Sequence, residues 1–142
     1  MNTSLLFPYL NFDGNCREAM DFYKSVLGGE LSLQTGAETP MEMPEEAKNR
    51  IINAELHSDK FRFMASDTMM GDHFVVGNNV HMSLSSTDTE ELTKNFTALS
   101  EGGVVDMPLA MQFWGDTFGM LTDKFGIHWM VNITAENNKH VV

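Results

Sequence analysis

At 142 residues, 42% of them apolar and 20% charged, the chain suits one globular domain that buries about two-thirds of its surface. No apolar run approaches the roughly 20 residues that a membrane span requires. The net charge of −11, from 20 acidic and 9 singly scattered basic residues, argues against a nucleic-acid partner, because neutralising phosphates takes clustered Lys and Arg.

In chain order, a strand is expected near 5–12 and a helix near 15–27, followed by strands near 30–35, 50–57 and 61–66. The order then repeats: a strand near 79–86, a helix near 88–100, and strands near 104–109, 115–122 and 127–133. Ala19, Phe22, Tyr23, Val26 and Leu27 recur at helical spacing, as do Leu92, Phe96 and Leu99. Asn15 with Glu18, and Thr87 with Glu90 or Asp88 with Glu91, have capping-box spacing at the two helix starts. Gly28-Gly29 and Gly102-Gly103 supply the stops. Residues 36–49, with Pro40 and Pro44, form a long connection with room for a helical turn. Residues 67–78 join the halves, in a loop of the length that often covers a site. The tail from Thr134, TAENNKHVV, is expected to be mobile.

A duplicated strand-helix-three-strand unit implies an α+β protein whose helices cover one sheet face and leave the other to curve around something. The chain is therefore read as one domain, 1–142, with module one at about 5–67, module two at about 78–134 and a tail at 135–142. Alternation sorts the faces. Phe61, Phe63 and Ala65 oppose Arg62, Met64 and Ser66. Met82 and Leu84 oppose His81, Ser83 and Ser85, and Ile127, Trp129 and Val131 oppose His128, Met130 and Asn132. The 12 methionines are mostly core filler on this reading, with some in an adaptable pocket.

The segments PYLNFDGNCREAMDFYKSVLGGEL, MASD and GGVVDMPLAMQFWGDTFGMLTDKFGIHWMVN resemble the PhnB-like branch of the vicinal oxygen chelate superfamily. That superfamily holds glyoxalases, bleomycin-resistance proteins and dioxygenases. The resemblance runs from about residue 5 to residue 133 and implies a paired βαβββ fold, a curved mixed sheet around a cavity, and a homodimer. It does not imply one reaction, because these activities differ on one scaffold.

In metal-dependent members, side chains at matching places on the two modules grip a divalent ion. Carried over, the resemblance puts His81 at a ligand position, Met130 where a glutamate is expected, Pro8 (or Phe7, one residue out of register) at a histidine or glutamine position, and Met64 near the last carboxylate position. Thioether sulfur suits soft Cu(I), and proline offers no side-chain donor. His128 lies about 7 Å along the strand from Met130 on the same face, so any metal would rest on His81 and His128 alone. No resident cofactor is expected.

Other candidates carry two readings each. Asp67 is either a ligand contact or a strand-end turn residue. Glu55 and His57 share a face and form either a metal pair or a solvated one. Gln112, Trp114 and Phe118 cluster near a bend where Gly115 and Gly119 suit a bulge, which makes either an aromatic pocket mouth or a core or dimer contact. Cys16, the one cysteine, excludes a disulfide framework and a multi-cysteine zinc site. At a helix start it would have a lowered pKa, although no partner that would make it reactive is expected. Some relatives carry a ubiquinone methyltransferase label, but no strand leads into a glycine-rich nucleotide loop. MNTSLLFPYLNF has no basic segment leading into a long apolar one, so a cytoplasmic location is expected. The expected function is small-molecule binding without the usual metal, by a pocket including Met64, Asp67, His81, Gln112, Trp114, His128 and Met130. The alternatives are a metal-dependent lyase, isomerase or dioxygenase with an atypical site around His81, and an interaction protein with a vestigial cavity.

Overall fold

A computed structural model describes residues 6–40, 42–69 and 73–135. The strand start expected at residue 5 and the tail from 136 lie outside them. Two compact units divide the chain, Met1–Val75 and Val76–Val142. The first holds β1 (Tyr9–Phe12), α1 (Cys16–Leu27), β2 (Glu30–Thr35), β3 (Ile51–His57) and β4 (Arg62–Asp67). The second holds β5 (Met82–Ser86), α2 (Thr89–Ser100), β6 (Val104–Met111), β7 (Thr117–Thr122) and β8 (His128–Ile133). Each unit is a four-stranded mixed sheet, ordered β1-β4-β3-β2 and β5-β8-β7-β6. In each, the first strand runs parallel to the last and the other pairings are antiparallel. β1 starts at Tyr9, later than expected. The 36–49 connection folds two short 3-10 turns, Gly36–Glu38 and Glu45–Ala47.

In α1, Cys16, Ala19, Met20 and Tyr23 are buried at helical spacing. They pack against β2, β3 and β4, where Ala54, Leu56, Phe63 and Ala65 are also buried. In α2, Leu92, Phe96 and Leu99 meet the sheet that buries Leu121, Trp129, Val131 and Ile133. Each fully buried large apolar side chain contributes about 1.5–3 kcal/mol, so one face of each sheet is committed to its helix.

The helix ends differ from one another. At α2 the side chain of Asp88 accepts from the Glu91 N–H at 3.0 Å, the second of the two pairings the spacing allowed. At α1 the Asn15 side chain makes no cap hydrogen bond, so the expected Asn15–Glu18 box does not form. The Asp67 carboxylate takes its place, its Oδ1 accepting from Gly14 N at 2.8 Å and Cys16 N at 3.0 Å. Beyond the helices, Gly28 and Gly102 hold φ of 77° and 76°, which L side chains rarely adopt. In β6 the register shifts between Met107 and Ala110 opposite Gly119. A Cβ on Gly119 would stand 2.9 Å from the Phe96 ring and 3.0 Å from the Leu109 nitrogen, so the bulge needs glycine there.

Cys16 departs from expectation. Its thiol is pushed up to about 12, first by burial and second by the Asp67 charge, with Arg17 pulling partly the other way. The helix dipole does not prevail. Because the folded value exceeds the ordinary 9.0, the unfolded chain loses this proton first as pH rises. The contribution is therefore fully present below pH 9 and is lost towards pH 12, at about 1.4 kcal/mol per unit. Native protein should resist iodoacetamide at neutral pH until denatured, and Cys16→Ala should show a shallower alkaline loss of stability in urea titrations. Rapid native alkylation would contradict this assignment.

Candidate functional site

The helix-free face of the second sheet is built by register. Thr122 pairs with His128, Met120 with Met130 and Phe118 with Asn132, while Met130 pairs with Ser83 and Met120 with Met107. Paired residues share a face, so Ser83, Met130, Met120 and Met107 form one row across all four strands. The next row holds the imidazoles. His81 lies just before β5, and its ring centroid is 5.5 Å from that of His128.

His128 is held at both ends. Nδ1 sits 2.9 Å from the Thr122 hydroxyl and Nε2 3.0 Å from the Gly77 carbonyl oxygen. A carbonyl only accepts, so Nε2 carries hydrogen and donates. The Thr122 hydroxyl also lies 2.7 Å from Asp106 Oδ2, and its single hydrogen serves one contact or the other. The ring is thus fixed between β7 and the segment before β5. His81 makes no hydrogen bond among the described residues and is half-buried, leaving its ring nitrogens available on this face.

The donor set does not fit the divalent ion of the metal-dependent relatives. A metal on His128 would have to displace Thr122 or Gly77. Met130, half-buried in the neighbouring row, offers a neutral thioether where a hard or borderline ion takes carboxylate. Among the described residues no group of three or more His, Cys, Asp or Glu is placed to hold a metal.

The aromatic candidates stand at the β6–β7 turn. The Trp114 ring is edge-on to Phe113 at 5.0 Å and to Phe118 at 6.1 Å. Trp114 is 41% exposed and Phe113 is 97% exposed. Phe118 lies on the same face as Met120, so an aromatic edge adjoins the thioether row. The Gln112 amide donates to the Ala110 carbonyl at 2.9 Å.

In the first sheet, Met64 lies on the helix-free face, paired with Tyr9 and Glu55. Glu55 accepts from Arg62 at 3.1 Å and stands 3.4 Å from His57 Nδ1. A guanidinium therefore holds the carboxylate that a metal pair would need. Arg62 also stacks 4.6 Å from the Phe7 ring, and its buried Nε has no hydrogen-bond partner among the described residues.

Asp67 shows the structural one of its two readings, at the end of β4. It shares the parity of Phe63 and Ala65 and so faces α1, opposite to Met64, with only 8% exposure. Both of its oxygens are used, Oδ1 by Gly14 and Cys16 and Oδ2 by Ile51 N at 2.9 Å. The N-terminus of α1, where a nucleotide phosphate would dock, is thus filled by the protein's own carboxylate.

Several residues were not anticipated. Thr122, Met120 and Met107 join the site through strand pairing and Asp106 through its hydrogen bond to Thr122; the alternation of TFGMLT was a signal for Thr122 and Met120 alone. Asp116 and Asp123 are buried, and GDTFG and TDKFG placed each at a turn. Asp116 accepts from Asn132 Nδ2 at 3.0 Å. Asp123 accepts from Phe125 N, Ile127 N and the Trp129 indole at 2.8, 3.0 and 2.9 Å.

Residues 4–132 match the family described as 3-demethylubiquinone-9 3-methyltransferase. The chain is 32% identical over 141 residues to Protein YjdN of Escherichia coli (strain K12), covering 92% of this chain and 96% of that one. The crystal structure of protein PA1353 from Pseudomonas aeruginosa is similar with a TM-score of 0.86 and 38% identity, covering 94% and 100% of the two chains. A Bacillus cereus structure described as a putative 3-demethylubiquinone-9 3-methyltransferase, PhnB protein, has a TM-score of 0.77 and 25% identity, with 91% and 98% covered.

Proposed function

The chain belongs to the PhnB-like branch of the vicinal oxygen chelate superfamily, and from that membership we propose that it binds a small organic molecule without a divalent metal. Small-molecule binding is the superfamily-level role. The finer reading places the ligand on the helix-free face of the second sheet, with the thioether row and Phe118 supplying apolar contact and His81 a hydrogen bond. Met sulfur and aromatic edges favour a planar ligand.

The observation that carries this reading is the engagement of both His128 ring nitrogens, which leaves His81 as the free imidazole of the pair, beside a row of thioethers. The methyl transfer in the family's description is not carried over. No glycine-rich loop opens either helix, and the Asp67 carboxylate occupies the N-terminus of α1.

Metal analysis of protein purified without chelators, joined to a thermal-shift screen of small planar organics, tests the reading. We expect less than about a tenth of an equivalent of Zn, Ni, Mn or Fe, and no effect of EDTA. A hit at 100 times its Kd should add about 2.7 kcal/mol, and His81→Ala should remove most of that gain. Stoichiometric metal that is lost in His81→Ala would instead establish the metal-dependent alternative around His81.

A further inference from the structure

We infer that the first unit carries a separate binding site for a neutral molecule of single-ring size bearing one hydrogen-bond acceptor. The site is a cavity of about 160 Å³ between the β2–β3 connection and the adjoining ends of β3 and β4. Its apolar walls include Met43 from the connection, Ile51 and Ile52 from β3, and Met69 beyond β4. The Met43 wall is seated against backbone, since its sulfur fills the space that a Cβ on Gly36 would take.

Size and charge select the ligand class. Drug-sized ligands occupy about 300–1,000 Å³, whereas an apolar cavity of about 150 Å³ accepts benzene or xenon. This volume therefore suits one ring. Among the described residues Arg50 is the one cation on the lining, and Glu42 and Asp67 also line it. Arg50 is already paired with Asp13 at 2.8 Å, so an anionic ligand meets no spare positive charge. Asp67 has both oxygens committed to backbone N–H groups and does not call for a cation. A neutral ligand remains.

The acceptor follows from the Arg50 hydrogen bonds. Its Nε donates to the Thr68 carbonyl at 3.1 Å, and its Nη2 to the same carbonyl at 2.9 Å, to the Thr68 hydroxyl and to Asp13. Nη1 has no hydrogen bond among the described residues. Arg50 lines the cavity, and its uncommitted Nη1 is the donor assigned to a carbonyl-type oxygen.

Cyclohexanone and methylenecyclohexane test the site, having the same ring and nearly the same shape but only one acceptor. Each is titrated into full-length protein labelled at Ile and Met methyls and followed by NMR. Both should shift the Ile51, Ile52, Met43 and Met69 methyls, and cyclohexanone should bind roughly five-fold tighter for one hydrogen bond. Arg50→Met should reduce that preference to about one, and Ile52→Phe should abolish both titrations. If Ile52→Phe does not fold, Met69→Phe narrows the same cavity from another lining position. Unshifted methyls, or titrations that survive the filling variant, overturn the site. Equal affinity of the two probes for the native protein overturns the assigned acceptor.

Discussion

Replacing Asp67 by alanine is expected to destabilise the protein by about 3 kcal/mol or more, enough to lower its Tm by on the order of 10 °C. The Gly14, Cys16 and Ile51 N–H groups all lose their acceptor, and a buried donor left unsatisfied costs about 1–3 kcal/mol. The same change strips the start of α1 of the anion that faces its dipole. Asp67→Asn keeps one acceptor oxygen but turns an NH₂ towards a donor, so its loss should be clear yet smaller than that of alanine. Urea denaturation of the three proteins settles the order. An alanine variant within about 1 kcal/mol of the parent would mean that water replaces the carboxylate and that the proposed fastening is not structural.

The Asp123→Ala variant should lose a comparable amount, about 3 kcal/mol, and should disturb the second sheet where the imidazoles lie. Oδ1 closes the β7–β8 turn through Phe125 and Ile127, and Oδ2 holds the indole of Trp129. Trp129 is 1% exposed, so its N–H, once unpartnered, has little access to water. β8 carries His128 and Met130 directly beside it, and loosening Trp129 loosens the ring that Thr122 and Gly77 position. Trp129 fluorescence read in a Trp114→Phe background should shift to the red in Asp123→Ala at temperatures where the parent is fully folded. Unchanged emission with unchanged urea stability would refute this assignment.

The repeated order of elements was legible because both signals it uses are local. Helical spacing in CREAMDFYKSVL and two-residue alternation in HWMVNI each point to one partner face, and the structure places α1, α2 and β8 close to where those patterns put them. The candidate site was legible only in part. His81, Met130 and His128 fall on one face by parity alone. The pairing of Thr122 with His128 depends on which strands become neighbours, and no short stretch encodes that. The role of Asp67 was hidden for a related reason. Its own parity with Phe63 and Ala65 already turned it towards the helix, but the donors awaiting it lie on Gly14 and Cys16, in a different part of the chain. Cys16 failed in the same way, because a dipole is a local inference and burial beside Asp67 is not.

The two helix anchors carry a consequence for how the chain assembles. Asp88 reaches a nitrogen three positions away, so α2 brings its own cap and can be stabilised while the rest of its unit is still loose. The cap of α1 arrives from a residue 51 positions along the sequence, and that helix gains its anchor only after β4 has docked beside β1. Closing so long a loop costs conformational entropy before any contact repays it. Two halves with one topology therefore have different routes to it, the second nucleating locally and the first condensing late around a single carboxylate.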